Sequence, residues 1–546
     1  MFVGNNWDGT ADMIDPRTFE HLGRINTIPD REERMAEILT SPDKLAFFLA
    51  IRNFVGEGND QFTDDMFTTH DGRLVAVSRP SFADVVGISL RTEKIVWRFP
   101  MDGYRSDHMA VSPDGRRLLV SDSTENVVHE LNIRTGEKTG EFPSGDSPHE
   151  NNYSEDGSLI YHASIGRVYT PTDRCAPALP PSTGCLPRDT SKGDRRFQIV
   201  DADSLKILKR WDMGEELDEF AERTGRQRYA RMSSAVRPMA LSPNERYAYL
   251  QVSFHHGFVK FDLRRGRVRR VVDLPISKEA RNTPREQYLL DSAHHGIAMN
   301  SAGNRLCAAG TMSDYAAIVS RRGFRTKIAS RGTKPYWSTN GPNGRRCWVS
   351  YSGDDEVAVL NYRTRREITR IPVGDHPQRI RVGVIRKGLA SGGPAGSLCR
   401  GREVTHSGTG GDDTIRGTAG VDVIRARPGD DVIRARGGDD VICANEDEDT
   451  VRAGGGDDYV SGGRGDDDDR LRGGAGDDEI RAQRGKDVLG GGGGSDFLLG
   501  NRQDDLLRGG KGPDRLLGNK GNDSLRGGSG NDACRGGAGS DRVRAC

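Results

Sequence analysis

Residues 518–544 read GNKGNDSLRGGSGNDACRGGAGSDRVR, which is three consecutive copies of one nine-residue unit. The unit has the form Gly-Gly-x-Gly-x-Asp-x-U-x, where U is usually a large apolar residue, and a further copy, GGAGDDEIR, begins at Gly473. Repetition at a short fixed period is typical of a solenoid, in which each unit buries its apolar face against its neighbours. The C-terminal part of the chain is therefore predicted to be a repeat structure.

The aspartate and the U residue keep their phase through fifteen copies, with one two-residue slip at Asp466 and Asp467. U follows each aspartate by two residues and is Ile, Val, Leu or Cys. A polar linker has no reason to hold both phases, so we expect columns of carboxylates and inward-facing U side chains. The fifteen aspartates are Asp413, Asp422, Asp431, Asp440, Asp449, Asp458, Asp469, Asp478, Asp487, Asp496, Asp505, Asp514, Asp523, Asp532 and Asp541.

This pattern resembles the RTX, or haemolysin-type, calcium-binding nonapeptide repeat over residues 408–546. The resemblance implies a parallel β-roll with two units per coil, in which the glycine-rich hexad is a tight turn and x-U-x is a short strand. It also implies several Ca²⁺ ions held by turn carbonyls and by the fifteen aspartates, an oxygen shell that suits a hard cation. Units with Asp447, Asp467 or Gln503 in place of the turn glycine are expected to bind more weakly.

Calcium decides between this roll and the alternative, a disordered Gly/Asp/Arg segment. The tail has few large apolar residues, and stacked carboxylates repel one another. Without calcium, the disordered segment is therefore the expected state, because the free energy of metal binding is in effect the free energy of folding. Arginines next to U, for example Arg425, Arg434, Arg472 and Arg481, are expected to form surface ladders that offset the acidic turns.

Composition separates this tail from the rest of the chain. The whole chain has 546 residues, 70 glycines and a net charge of zero. After Arg400, 22 Lys and Arg residues face 29 Asp and Glu residues, so the tail carries −7 and the first 400 residues carry +7. The neutrality is thus the sum of two differently charged domains, and residues 386–407 are predicted to link them.

A longer period marks residues 1–385. Copies of a strand, corner and strand, such as DHMAVSPDGRRLLVSD from Asp107 and RPMALSPNERYAYLQV from Arg237, recur at 40 to 43 residues where nothing is inserted. Four alternating strands at this spacing are the signature of a β-propeller blade. Six corners are visible, and residues 376–385 supply the inner strand that the N-terminal blade lacks. The predicted fold class is all-β, a seven-bladed β-propeller followed by the parallel β-roll, and the blades resemble YVTN-type surface propellers.

Three insertions interrupt the blades. Residues 30–56 are predicted to form two helices, the second beginning at Ser41 and Pro42. Residues 214–231 are charged and are predicted to be helical. Residues 171–193 are rich in proline and read as a surface loop that carries two cysteines.

Eight cysteines occur without any Cys-x-x-Cys spacing, which favours disulfides and an oxidising compartment. Cys307 and Cys347 have the same phase in consecutive blades, so they form either a disulfide between blades or two buried free thiols. The other expected pairs are Cys175 with Cys185, Cys399 with Cys443 and Cys534 with Cys546.

Histidines are predicted at the start of the innermost strands, where several strands converge on the central channel. Neutral imidazoles there could hold a second, transition metal, as in the propeller domain of nitrous oxide reductase, and carboxylates could hold calcium as in gluconolactonase-type propellers. Propeller channels are polar and water-filled by default, so the same groups could simply be solvated strand ends. The candidate histidines are His108, His149, His294, His295 and His376.

The function predicted from these features is calcium binding by a secreted or cell-surface protein whose propeller binds an extracellular protein, glycan or small molecule. The alternative is a propeller enzyme, either a lactonase-like hydrolase or a metal-dependent oxidoreductase, with its site at the channel. The sequence contains no zinc-protease, nucleophile-elbow, phosphate-loop or haem-attachment motif, so binding is favoured over catalysis. Nucleic acid is a poor partner because the basic residues are spread over the blades and the tail is acidic.

The route of export is left open by the sequence. No apolar run approaches the roughly 18 residues of a transmembrane helix. The N-terminus shows no secretory signal. We expect that export uses another signal or that translation starts further upstream.

Overall fold

The computed structural model describes residues 1–56, 58–166, 194–230, 236–283, 293–386, 398–400, 402–408, 411–427, 429–445, 447–463 and 467–546. The chain separates into two compact units, Met1–Gly392 and Gly393–Cys546. Both units are built from β-sheets. The predicted all-β class is confirmed, and no helix in the described part of the chain has the length and apolarity to cross a membrane.

Seven four-stranded antiparallel sheets make up the first unit. This confirms the seven-bladed propeller, whereas the YVTN resemblance stays a prediction. From the inner to the outer strand, blade one contains Pro377–Arg381, Phe2–Asn5, Thr10–Ile14 and His21–Asn26; blade two contains Met66–Thr68, Leu74–Arg79, Asp84–Ser89 and Ile95–Pro100; and blade three contains Ser106–Val111, Arg117–Asp122, Val127–Asn132 and Lys138–Pro143. In the same order, blade four contains Pro148–Tyr153, Leu159–Ser164, Arg196–Asp201 and Ile207–Asp212, and blade five contains Val236–Leu241, Tyr247–Val252, Gly257–Asp262 and Arg267–Asp273. Blade six contains Ile297–Met299, Arg305–Gly310, Tyr315–Ser320 and Thr326–Arg331, and blade seven contains Pro335–Asn340, Arg346–Tyr351, Glu356–Asn361 and Arg366–Pro372.

The first blade is closed by the last strand of the propeller. Pro377–Arg381 pairs with Phe2–Asn5, placing Phe2 opposite Arg381 and Val3 opposite Ile380. The closing strand also reaches the second blade, because the Arg381 guanidinium donates two hydrogen bonds, of 2.6 and 2.7 Å, to the buried Asp65 carboxylate. The predicted closure is confirmed, and it removes the free sheet edges that an open ring would expose.

In the described part of the chain, the α-helices lie between consecutive blades. Pro42–Ala50 follows Ser41 at its N-cap, as predicted, and buries Phe48 in a cluster with Phe62 and Phe82. Met213–Thr224 is capped by the Asp212 carboxylate. The other helical segments are Arg31–Leu39, Lys278–Asn282, the π-helical turn Ile51–Val55, and the 3₁₀ turns Pro80–Phe82, Gln227–Tyr229 and Thr311–Ser313.

The second unit is a parallel solenoid of two eight-stranded sheets, which confirms the predicted β-roll. Alternate repeats contribute to alternate sheets. Sheet one contains His406–Ser407, Val423–Arg425, Val441–Asn445, Tyr459–Gly463, Glu479–Gln483, Phe497–Arg502, Arg515–Lys520 and Ala533–Ala538. Sheet two contains Thr414–Arg416, Val432–Gly437, Thr450–Gly455, Arg470–Ala475, Val488–Gly493, Leu506–Lys511, Ser524–Ser529 and Arg542–Arg544. A short hairpin, Leu398–Cys399 with Arg402–Glu403, precedes the sheets.

The interior of the roll is narrow. Each strand from Thr414–Arg416 to Ala533–Ala538 contributes one U side chain to it, and Ile433, Leu471 and Leu489, for example, are fully buried. Small alanines such as Ala435 fill the remaining space. The two-residue slip is absorbed between Val451 and Leu471, which still pair in register. The apolar core is therefore thin and continuous from coil to coil.

Three disulfides are present. Cys307–Cys347 joins the sixth and seventh blades, so the alternative of two free thiols there is wrong. Cys399–Cys443 ties the preceding hairpin to sheet one of the roll, and Cys534–Cys546 closes the last coils, as predicted. The predicted Cys175–Cys185 pair and its loop lie outside the described residues.

Candidate metal centres

The repeat aspartates form two columns, one along each edge of the roll. Within a column, the backbone N–H of each aspartate donates to Oδ1 of the aspartate one coil later, as from Asp478 to Asp496 at 3.0 Å. The same bond crosses the slip, from Asp449 to Asp469 at 2.9 Å. One column runs from Asp413 to Asp541 and the other from Asp422 to Asp532. The sequence period therefore becomes a stack of carboxylates.

The second oxygen of most of these carboxylates has no partner in the described part of the chain. Buried anionic oxygens without a hydrogen bond or counter-ion are strongly unfavourable. A row of them facing one edge is the donor set that a hard cation prefers, so the residues fit the calcium that the repeat implies. The unpartnered Oδ2 atoms belong to Asp431, Asp440, Asp449, Asp458, Asp478, Asp487, Asp496, Asp505, Asp514 and Asp523.

The ends of the columns are more open. Asp413, Asp532 and Asp541 are only half-buried. Asp422 is buried, but its Oδ2 accepts hydrogen bonds from Thr418. The strongest cation sites are therefore expected in the middle coils.

Burial raises the pKa of the column carboxyls when no metal is bound, and repulsion from neighbouring carboxylates raises it further. The pKa of Asp449 and that of Asp505 rise to about 8, and that of Asp487 to about 9. Asp458 and Asp478 rise to about 7. The folded roll thus holds protons or cations on these oxygens at neutral pH.

Glycine makes room for these oxygens. A Cβ on Gly473 would collide with Oδ2 of Asp478, and a Cβ on Gly491 would collide with Oδ2 of Asp496. The glycine two residues before the aspartate has a positive φ, 124° at Gly476, as the tight turn requires. Asp447 and Gln503 hold a positive φ of 76° and 70° at this position, which is a strained backbone for side-chain-bearing residues. These are two of the units expected to bind more weakly.

A second row of carboxylates was not anticipated from the sequence. The residue just before the repeat aspartate is often acidic too, and its Oδ1 accepts a backbone N–H one coil away. Asp477, for example, accepts from Ser495 at 2.6 Å, and Asp439 accepts from Asp457 at 3.0 Å. These side chains are exposed. The Asp-Asp pairs in the repeat are the sequence signal from which this second row could be predicted.

Three of the five candidate histidines meet inside the propeller. One nitrogen from each of His108, His149 and His295 lies within 4.8 Å of the others, and all three rings are buried. Burial, followed by nearby cationic groups, lowers the pKa of each ring well below its usual value, so the imidazoles are neutral. Neutral imidazole is the form that binds a metal.

The surroundings orient one ring and leave the others without partners. Nδ1 of His108 lies 2.7 Å from Oε2 of Glu150, an arrangement that fixes the ring and its tautomer. Neither nitrogen of the His295 ring has a hydrogen-bond partner among the described residues. Nδ1 of His149 has none among them either. The Arg379 guanidinium contacts Nε2 of His108. The cluster is therefore polar, enclosed and only partly satisfied.

The other two histidines lie elsewhere. His294 packs against Tyr315, with ring centroids 5.9 Å apart. His376 stacks on Trp7 at 3.8 Å and has a positive φ of 54°. The sequence identified the inner-strand histidines but could not separate these two from the three that converge.

Comparisons with known proteins cover the two units unequally. The family model of the RTX calcium-binding nonapeptide repeat matches residues 407–442, 444–468, 466–498, 490–515 and 508–543. No curated protein matches the chain in sequence. Among solved structures, hydrazine synthase from Kuenenia stuttgartiensis is similar at 14% identity and a TM-score of 0.40, over 58% of this chain and 88% of that one. The chain thus combines haemolysin-type calcium-binding repeats at residues 407–543 with a seven-bladed β-propeller, and the repeats imply calcium binding.

Proposed function

We propose that the protein acts in an extracellular or cell-surface compartment, where calcium folds the roll and the propeller binds an extracellular protein, glycan or small molecule. The observation that carries the proposal is the double column of buried, unpartnered aspartate oxygens. Extracellular calcium modules commonly have dissociation constants of about 10⁻⁴ to 10⁻³ M. Such a roll is empty in a low-calcium cytosol and loaded outside the cell.

The disulfides support the same compartment. Cys307–Cys347 lies in the propeller and Cys399–Cys443 in the roll, so both units carry cross-links. Structural disulfides persist in oxidising environments and are rare in reducing ones. Calcium dependence and cross-linking are therefore two independent features that point outside the cytosol.

The compartment is tested on protein taken from its native cells. We expect antibody to label intact cells or to detect the protein in the medium, and non-reducing peptide mapping to recover the Cys307–Cys347 and Cys399–Cys443 peptides as linked pairs. Free thiols at all four positions, together with labelling only after permeabilisation, would refute the extracellular assignment. A calcium midpoint near 10⁻⁷ M would argue for a cytosolic sensor instead.

A second function is favoured by the histidine cluster. We propose that His108, His149 and His295 bind one divalent transition metal inside the propeller. Three neutral imidazoles suit Zn²⁺, Cu²⁺ or Ni²⁺ better than Ca²⁺. Glu150 holds the His108 ring through Nδ1 and leaves Nε2 for the metal. Metal binding at Nε2 requires the Arg379 guanidinium, which contacts that nitrogen, to move away.

Cobalt(II) is a suitable probe for this site, because its visible absorption reports histidine ligation. In full-length protein kept in millimolar calcium, we expect about one Co²⁺ per chain to give this spectrum. His295→Asn should abolish it, whereas the matched variant His294→Asn should keep it. Glu150→Gln should weaken affinity about 10- to 100-fold, the effect usual for a residue that orients a ligand. Equal spectra in all variants would overturn the proposal.

A further inference from the structure

One face of the roll carries a straight row of arginines. On sheet two, the residue after U is arginine in seven of the eight strands, with Gly490 in the remaining one. Parallel pairing places these residues in register from coil to coil. We call this row the arginine ladder: Arg416, Arg434, Arg452, Arg472, Arg508, Arg526 and Arg544.

The ladder is solvent-exposed and has no counter-charge. All seven side chains are exposed. None of them has an ion pair or a hydrogen bond among the residues that the structure describes. The predicted surface ladder is therefore present on this sheet, and its arginines make no direct ion pair with the acidic turns in the described part of the chain. Like charges directly opposite one another on neighbouring strands destabilise a sheet, so the ladder gives the isolated roll no stability.

Sheet one provides a contrast within the same solenoid. Its outer face is partly covered by the hairpin that precedes the sheets, through the Cys399–Cys443 disulfide and through Arg400, which stacks on Tyr459 and pairs with Glu479 at 2.9 Å. Arg481 on this face also pairs with Glu479, at 2.7 Å. Arg400 and Arg481 thus have acidic partners within the roll, whereas the arginines of the ladder on sheet two have none among the described residues.

The spacing of the ladder defines its partner. Neighbouring strands lie about 4.8 Å apart, so the row spans about 34 Å in a straight line. A guanidinium group binds carboxylate or sulfate through two parallel hydrogen bonds. The matching ligand is an extended linear polymer that carries one anionic group at each strand spacing or at a small multiple of it.

We infer that the ladder binds a linear anionic polysaccharide, with carboxylate or sulfate groups along its chain. Single-stranded nucleic acid is less suitable, because its non-specific binding relies on aromatic side chains that stack on the bases. The other outward-facing column of sheet two holds Thr, Val, Leu, Ser and Arg residues and no aromatic ones. Duplex DNA presents its phosphates along curved grooves rather than along one line.

Calcium makes this binding conditional, so the inference rests on the calcium-folded roll of the proposed function. The ladder exists only when the coils are stacked in register. The tail carries a net charge of −7, so four bound divalent ions are enough to make it net positive. Calcium loading therefore both aligns the arginines and turns the tail from a repelling into an attracting surface for a polyanion.

The test uses full-length protein at a measured free calcium concentration that saturates the roll. The probes are a polygalacturonate oligomer, dextran sulfate, neutral dextran and a poly(dT) oligonucleotide. We expect both charged polysaccharides, or one of them, to bind, and the stronger arm identifies carboxylate or sulfate as the ligand chemistry. Neutral dextran should not bind, and chelation should abolish all binding.

Two triple variants separate the ladder from general basic charge. R434Q/R452Q/R472Q should lower affinity at least tenfold and reduce the salt dependence by about two to three released counterions. The control R264Q/R322Q/R363Q removes three exposed arginines from the propeller and should leave affinity within twofold. A second ladder variant, R508Q/R526Q, keeps the test valid if the first does not fold.

Circular dichroism of each variant with calcium distinguishes two failures. A roll that does not fold with calcium overturns the proposed function. A folded roll that binds neither polysaccharide, or that loses equal affinity in both triple variants, overturns the ladder as the site. Tighter binding of poly(dT), lost in the ladder variants alone, would assign the surface to nucleic acid and overturn the polysaccharide.

Discussion

Removal of calcium is expected to unfold residues 411–544 while the propeller stays folded. The core of the roll consists of one column of U side chains from each sheet and a few small alanines. Ten buried Oδ2 atoms have no partner among the described residues, and each such group costs about 1 to 3 kcal/mol when left unsatisfied. The sum is comparable with or larger than the net stability of a typical domain, about 5 to 15 kcal/mol.

Hydrogen exchange measured by mass spectrometry locates this effect in the full-length chain. With chelator, peptides from the roll should lose protection within the shortest labelling time, and peptides from blades two to four should keep theirs. Restored calcium should restore protection cooperatively. Roll peptides that stay protected in chelator would contradict calcium-coupled folding.

Two matched pairs of variants place the ligands. Asp478→Asn removes a buried carboxylate of the column, whereas Asp477→Asn changes its exposed neighbour, so only the first should raise the calcium midpoint severalfold.

Gly494→Ala puts a Cβ against the carbonyl of Gly476 at a positive φ, whereas a Cβ on Gly493 meets open space. Gly494→Ala should therefore weaken folding strongly and Gly493→Ala only slightly. Equal effects within either pair would contradict the assigned turn geometry.

Acid is expected to replace calcium. The folded pKa values of the column carboxyls, about 6 for Asp440 and Asp496 and about 9 for Asp487, lie above the usual aspartate value near 3.9. Between these values the folded calcium-free roll binds more protons than the unfolded chain. Its stability is therefore fully present below about pH 4 and is lost as the pH rises through about 6 to 9.

The propeller has the opposite dependence. Hydrogen bonds and cationic partners lower the pKa of Asp12, Asp30 and Asp122 there. The stability that these carboxylates provide is present above about pH 4 and is lost only in stronger acid. At pH 5 a folded calcium-free roll is expected. The propeller is expected to be less stable at pH 5 than at pH 7, because burial lowers the pKa of His108, His149 and His295, which stay neutral in the fold, whereas the same rings in the unfolded chain take up protons below about pH 6.5.

Calcium-stripped protein in calcium-free buffer tests this directly. Protection of the roll peptides should be high at pH 5, largely lost at pH 7 and absent at pH 9, while calcium should flatten this profile and release protons at neutral pH. The triple variant Asp449→Asn, Asp487→Asn and Asp505→Asn should weaken the pH dependence. A calcium-free roll that is equally unfolded from pH 5 to pH 9 would show that repulsion between carboxylates is not what opposes folding.

Much of the roll could be predicted because the repeat of the sequence is also the repeat of the structure. Two nine-residue units complete a coil, so the phase of Asp478 and Leu489 along the sequence is also their position in space. The arginine ladder followed from the same rule, since Arg434 and Arg452 are 18 residues apart and must lie on one sheet. The predicted surface ladders of arginine include this row, but its lack of ion pairs depends on the side-chain positions in the fold and has no sequence signal.

The channel could be predicted only in part. The blade corners placed several histidines near the axis, but His294 and His295 are neighbours in sequence and have different surroundings in the fold. Which ring joins His108 and His149 depends on the backbone direction at the start of the sixth blade. His376 was removed from the cluster by its left-handed backbone and its stacking on Trp7. No periodic signal encodes either detail.

The closing strand of the propeller also has a mechanical consequence. Residues 377–381 are the last strand of the ring and continue along the chain toward the roll. Tension on a polymer-bound tail would act first on Val384, whose backbone N–H donates to Thr68 Oγ1 at 2.8 Å, and then on the pairing of 377–381 with Phe2–Asn5. Five residues of backbone pairing alone would peel apart one bond at a time from the Arg381 end. The two hydrogen bonds from Arg381 to Asp65 at that end anchor the strand to the second blade and would resist this peeling.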